Sequence, residues 1–138
     1  MVMKYLVTLL GATALISGCA VGPTTDDCRD PRMTRINIVF AKNNEIRVSP
    51  GVAKTDVGKV LRFKFTGDSG TKVTVSEKDT DPKDAWINGS GMGGEVIYFC
   101  ASEKLFDGVD PKVSEIKFDY DINVAGVGTL DPRVTVRR

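Results

Sequence analysis

Short runs of alternating apolar and polar residues fill most of the chain after residue 34, and each run ends at a cluster of turn-forming residues. Period-two alternation places side chains on opposite faces of a β-strand, so each run predicts a strand with one buried face. The clearest run lies between Glu115 and Val124, where every second residue is apolar. The predicted strands cover residues 35–40, 45–48, 59–65, 71–75, 95–100, 115–124 and 133–137.

About seven short strands without a long helix predict an all-β fold, a single β-sandwich. Residues 61–65 and 71–75 flank the turn sequence 67–70, which predicts a β-hairpin. The nearly continuous apolar run 95–100 predicts a central strand. Single helical turns are expected near 81–85 or 102–106.

An apolar run from Tyr5 to Ile16 follows Lys4, a pattern typical of a secretory signal peptide. The run is shorter than the roughly 20 residues that a permanent membrane-spanning helix needs. The residues Ile16-Ser17-Gly18-Cys19 at its end resemble the bacterial lipobox. The resemblance implies a diacylglycerol on the Cys19 sulfur, cleavage before Cys19, and acylation of the freed amine by a chain such as palmitate. An ordinary cleaved signal is the alternative.

The chain is therefore expected to comprise a signal helix that is cleaved (1–18), a lipidated N-terminus with a polar tether (19–34), and the β-sandwich domain (35–138). Two or three acyl chains would anchor the protein stably to a membrane. The residue after a lipidated cysteine helps to sort Gram-negative lipoproteins, and Ala20 at this position favours the outer membrane. The domain would face the periplasm or the cell surface.

The whole chain has 19 Lys and Arg against 18 Asp and Glu, with no histidine. Removal of residues 1–18 takes away Lys4 and no acid, which leaves 18 of each and a net charge of 0. This balance argues against nucleic acid as a partner and predicts no general attraction to anionic lipid.

Two cysteines remain beside Cys19, and in an exported protein the pair Cys28 and Cys100 predicts a disulfide. A free reactive Cys100 is the alternative, although no histidine exists to activate it. The chain-entropy model gives such a long-range bond a stabilisation of about 4 kcal/mol.

Three segments, IRVSPGVAKTDVGKVLRFKF (46–65), YFC (98–100) and LDPRVTVRR (130–138), resemble the cupredoxin-like sandwich over most of residues 35–138. The pattern of short strands also fits an immunoglobulin-like sandwich. The resemblance implies that Cys100, after an aromatic strand, stands where a copper ligand can occur. A type 1 copper site also needs two imidazoles, however, so no metal or other cofactor is expected.

The absence of histidine also excludes Ser-His-Asp triads, Cys-His nucleophiles and the common zinc sites, and we expect no catalytic residue. Residues 89–94 match the GxGxxG spacing but precede a strand, so a flexible loop is expected, with a mobile recognition loop as the alternative. Asp79, Asp81 and Asp84 predict a solvated turn, and calcium binding is the alternative.

Trp86 is the sole tryptophan, and a core or rim position is its ordinary role in a small sandwich. The leading functional hypothesis is an envelope lipoprotein, anchored to the membrane through Cys19, whose non-catalytic domain binds or scaffolds a protein partner in an envelope assembly. The alternative is a glycan or small-ligand binding module that uses Trp86 and the 88–95 loop, including Asn88 and Met92.

Overall fold

The computed structural model describes residues 28–41, 45–81 and 84–138. The predicted signal peptide, the predicted lipidation site Cys19 and residues 20–27 of the predicted tether lie outside the described residues. Within the described ranges, no helix combines the length and the apolar character that crossing a membrane requires.

The described residues consist mostly of β-strands. The strands are β1 (Met33–Ala41), β2 (Glu45–Ser49), β3 (Val52–Asp56), β4 (Val60–Thr66), β5 (Lys72–Glu77), β6 (Asn88–Met92), β7 (Val96–Cys100), β8 (Glu115–Val124), β9 (Gly128–Leu130) and β10 (Arg133–Arg137). A short 3-10 helix, Glu103–Phe106, follows β7 within one of the two predicted helical turns. Each of the seven predicted strands is present, and β3, β6 and β9 are additional.

The strands form two sheets with the buried residues between them, which confirms the predicted all-β sandwich. The first sheet has the order β2-β1-β4-β7, and the second has the order β3-β10-β8-β5-β6, with β9 paired to the end of β8. β1 runs parallel to β4, and β3 runs parallel to β10. The chain changes sheets between β2 and β3, because β2 pairs with β1 whereas β3 pairs with β10.

The core between the sheets follows the alternation in the sequence. Phe63 and Phe65 of β4 are fully buried, and Lys64 between them is exposed. The Phe63 ring contacts the rings of Phe99 and Tyr120 edge to face, with centroids 5.5 and 5.6 Å apart. Aromatic pairs in this geometry stabilise a core beyond the area that they bury.

The predicted hairpin of residues 61–65 and 71–75 is wrong. β4 pairs with β1 and β7, whereas β5 pairs with β6 and β8 in the other sheet. Both runs bury their apolar faces in the same core cluster, and the turn between them carries the chain from one sheet to the other. Alternation shows which face of a strand is buried, but it does not show which strand lies beside it.

The predicted central position of strand 95–100 is also wrong, because β7 is an edge strand of the first sheet. Its residues are all half-buried. The side chains of Ile97 and Phe99 pack against the core, while the neighbouring side chains are covered only in part. The continuous apolar run therefore reflects partial cover on both faces rather than burial between two strands.

The segment before β1 is attached to the domain by the predicted disulfide. Cys28 and Cys100 are bonded, with their Cα atoms 5.7 Å apart. The Asp30 N–H donates a hydrogen bond to the Gly58 carbonyl over 3.3 Å. The Arg32 side chain and backbone N–H both donate to the Asp30 carboxylate, which lowers the pKa of Asp30 to about 2. The chain is thus attached to the sandwich from Cys28 onward.

We expect loss of the disulfide to lower the free energy of unfolding by about 4 kcal/mol, because the bond joins residues 72 positions apart and restricts the unfolded chain. The measurement is guanidinium denaturation of the protein and of the double variant Cys28→Ser/Cys100→Ser. The single variant Cys28→Ser is the control and should lose as much stability as the double variant. Equal unfolding midpoints for the double variant and the unchanged protein would contradict this role.

Candidate functional site

An aromatic groove lies beside the disulfide, at the end of the sandwich where the chain enters. It encloses about 490 Å³. We call it the Trp86 groove, and its main lining residues are Trp86, Tyr98, Phe99, Cys100, Lys104 and Leu105. Aromatic side chains surrounded by a charged rim are characteristic of surfaces that bind other molecules.

Trp86 is a half-buried rim residue, as one of the sequence interpretations expected. Its ring contacts Phe118 edge to face, with centroids 5.4 Å apart, and it packs against both clusters of core residues. The indole Nε1 is buried and has no hydrogen-bond partner among the described residues. Trp86 therefore offers the groove an apolar ring surface rather than a hydrogen-bond donor.

A turn before β6 holds Trp86 in this position. The Asp81 carbonyl accepts hydrogen bonds from the N–H groups of Asp84 and Ala85, at 2.8 and 3.1 Å. The neighbouring Ile87 is fully buried, and its carbonyl accepts a hydrogen bond from the Glu77 N–H. The buried isoleucine anchors the turn, which leaves the adjacent tryptophan at the rim. In the described ranges, no group of three or more Asp, Glu, Cys or His side chains has the proximity that a metal site needs.

The groove also contains residues that sequence analysis did not select. Tyr98 projects from the face of β7 opposite to that of Ile97 and Phe99. The alternation of side chains along the strand could therefore have predicted that Tyr98 lies on the outer surface. Leu105 comes from the 3-10 helix, which the Ser102 hydroxyl caps by accepting a hydrogen bond from the Lys104 N–H. The Cys100 sulfur is held in the disulfide, so it is neither a free thiol nor available as a metal-binding thiolate.

The structure does not bring together the three predicted binding residues. Asn88 and Met92 lie at opposite ends of β6, paired with Ser76 and Lys72, about 13 Å apart at the usual rise of a strand. Both residues are exposed on the outer face of the second sheet, away from the core. Of the predicted set, only Trp86 lines the groove.

The predicted flexible loop at 89–94 belongs to an edge strand, β6, and to the tight turn that follows it. Its glycines permit close packing: a Cβ on Gly89 would lie 3.2 Å from the Phe99 ring, and one on Gly91 would lie 3.0 Å from the Phe65 ring. A Cβ on Gly93 would lie 2.0 Å from the Asp68 carbonyl oxygen. The glycine-rich sequence therefore fits a place where two sheets come close together, and it does not mark a mobile recognition loop.

Comparison with known proteins adds a distant structural likeness. No family model and no curated protein matches the chain. Among solved structures it is similar to a purple cupredoxin from Nitrosopumilus maritimus, with 16% sequence identity and a TM-score of 0.47 over 75% of this chain and 98% of that chain. A likeness of this size assigns no family and no function to the chain, and the β-sandwich is established by the strand pairings described above.

We expect Gly93→Ala to lower the free energy of unfolding by about 1–3 kcal/mol, because the added methyl group overlaps backbone atoms that cannot move aside cheaply. Thermal or chemical denaturation measures the change. Gly51→Ala is a matched control, since a Cβ there meets no atom within 4 Å. Equal stability of the two variants would instead favour the flexible-loop interpretation.

Proposed function

We propose that this protein is a membrane-anchored envelope lipoprotein whose β-sandwich is a non-catalytic binding domain, a component of an envelope protein assembly. The observation that carries the proposal is the position of the Trp86 groove beside the Cys28–Cys100 bond. In the sequence, Cys28 lies nine residues after Cys19, the proposed site of the lipid. A fully extended chain of that length spans about 30 Å at most.

The disulfide places the groove at a similarly short distance from Cys19. Because Cys100 lines the groove and is bonded to Cys28, an anchor at Cys19 would hold the groove close to the membrane surface. Trp86, Tyr98 and Leu105 supply the apolar contacts that usually contribute most of the affinity at a protein interface. A protein that lies in or near the same membrane is the partner that best fits this arrangement.

A glycan is a second candidate ligand, because the groove combines a tryptophan and a tyrosine ring at its surface and rings of this kind stack against sugars. This alternative depends on Trp86 and Tyr98 alone, since Asn88 and Met92 face elsewhere. The two candidates differ in what the groove would retain, a protein or an envelope polysaccharide.

The anchor is tested by metabolic labelling with radioactive palmitate in a bacterial host. We expect label on the protein and complete loss of label in Cys19→Ser, with release of the chain into the soluble fraction. The variant Cys28→Ser/Cys100→Ser is the control with the same chemical change, and it should keep its label. Label that survives Cys19→Ser would overturn the proposed anchor.

The partner is tested with a photo-crosslinking amino acid at position 104, on the rim of the groove, in living cells. We expect capture of one envelope protein, and Tyr98→Ala should reduce the captured amount at least five-fold. The same crosslinker at Ser90, exposed on the outer face of β6, is the control and should not capture that protein. Equal capture from both positions would exclude the groove as the interface. Retention on envelope glycan that Tyr98→Ala abolishes, without protein capture, would favour the glycan.

A further inference from the structure

The outer face of the first sheet carries a compact group of cations. Arg35 of β1 is the direct cross-strand neighbour of Arg62 of β4, and Arg62 is in turn the neighbour of Tyr98 of β7. In the next row, Asn37 is the neighbour of Lys64. Side chains in register on adjacent strands project to the same side of a sheet, so these groups share one surface. We call this surface, with Arg47 of β2 at its margin, the basic face.

Acidic groups are scarce on the basic face. Glu45 is the acid that β2 supplies to this side, and it forms an ion pair with Arg47 over 2.8 Å. Among the described residues, no carboxylate forms an ion pair with Arg35, Arg62 or Lys64. Like charges directly opposite each other weaken a sheet, so the neighbouring Arg35 and Arg62 work against the stability of the fold.

The outer face of the second sheet differs because it carries several acids among its cations. Three of its cations form ion pairs, which are Lys78 with Asp121 and Asp131 at 3.5 and 3.1 Å, Arg133 with Asp119 at 2.6 Å, and Arg137 with Asp56 at 3.2 Å. Three further cations of this face, Lys54, Lys72 and Lys117, form no ion pair among the described residues. The fold therefore places most of the acids of the two outer faces on the second sheet, and it leaves the cations of the first sheet with one acid, Glu45. An anionic partner would meet fewer repelling acids on the basic face than on the outer face of the second sheet.

The surroundings of the cations favour a lipid surface over a compact ligand. The exposed apolar side chains of Met33 and Val39, 37% and 38% accessible, flank the cations on β1. Arginine, tyrosine and scattered apolar groups together are typical of residues at a membrane interface. Met33 neighbours Val60, which neighbours Cys100, so the basic face is continuous with the end of the domain where the chain enters.

We propose that the basic face lies on anionic phospholipid head groups of the membrane that carries the anchor. The orientation rests on the proposed lipidation of Cys19, but the lipid contact itself is a property of the folded domain. The first sheet would face the bilayer, and the second sheet, whose outer face carries more acids, would face away from it.

Vesicle binding tests the proposal without the acyl chains. The probe protein is the mature chain from position 19 with Cys19→Ser, incubated with vesicles of phosphatidylglycerol and phosphatidylethanolamine, and binding is measured by sedimentation. We expect binding that weakens about 25-fold in Arg62→Gln/Lys64→Gln, because each cation near an anionic surface contributes roughly five-fold. Binding should also fall steeply with salt and be absent on phosphatidylcholine vesicles.

The matched control is Lys72→Gln/Lys117→Gln, which removes the same charge from the outer face of the second sheet. It should bind within two-fold of the unchanged chain, and thermal unfolding should show that both double variants remain folded. No binding to the anionic vesicles, or equal weakening by both double variants, would overturn the proposal. Palmitate labelling at Cys19 is independent of these outcomes, so a failed vesicle experiment would leave the proposed anchor standing.

Discussion

The Cys28–Cys100 bond joins the segment that enters the domain to the last residue of β7, an edge strand that pairs on one side only. An edge strand has fewer neighbours to hold it than a central strand, and this one forms a wall of the Trp86 groove. The covalent bond restricts the unfolded chain and also fixes where the N-terminal segment leaves the sandwich. The position of the groove relative to any anchor upstream of Cys28 follows from this one bond.

The sequence predicted the strands and their buried faces better than it predicted their neighbours. Alternation identified β1, β4, β5 and β8 because one face of each strand packs against the core. The pairing of β1 with β4, and the separation of β4 from β5, depend on contacts between distant parts of the chain, which local alternation does not encode. β9 was missed because it has only three residues.

The glycines of β6 show the same limit at the level of single residues. A glycine-rich segment indicates either conformational freedom or close approach of backbone and side chains, and its local sequence does not distinguish the two. The decisive atoms belong to Phe65, Phe99 and Asp68, which pairing and packing bring beside β6. A similar limit applied to the groove. Its residue type identified Trp86 as a candidate binding residue, but local sequence did not show that Tyr98 and Leu105 line the same groove.

Charge is the property for which composition was least informative. A net charge of 0 in the chain without residues 1–18 predicted no attraction to anionic lipid, yet the two outer faces of the sandwich differ in how many acids accompany their cations. Tyr98 connects the basic face to the Trp86 groove, since it is the cross-strand neighbour of Arg62 and also lines the groove. If the basic face lies on lipid, the groove opens beside the bilayer surface rather than away from it. A partner that reaches the groove would then have to lie at the membrane itself, which favours a membrane-associated protein over a polysaccharide that is distant from the bilayer.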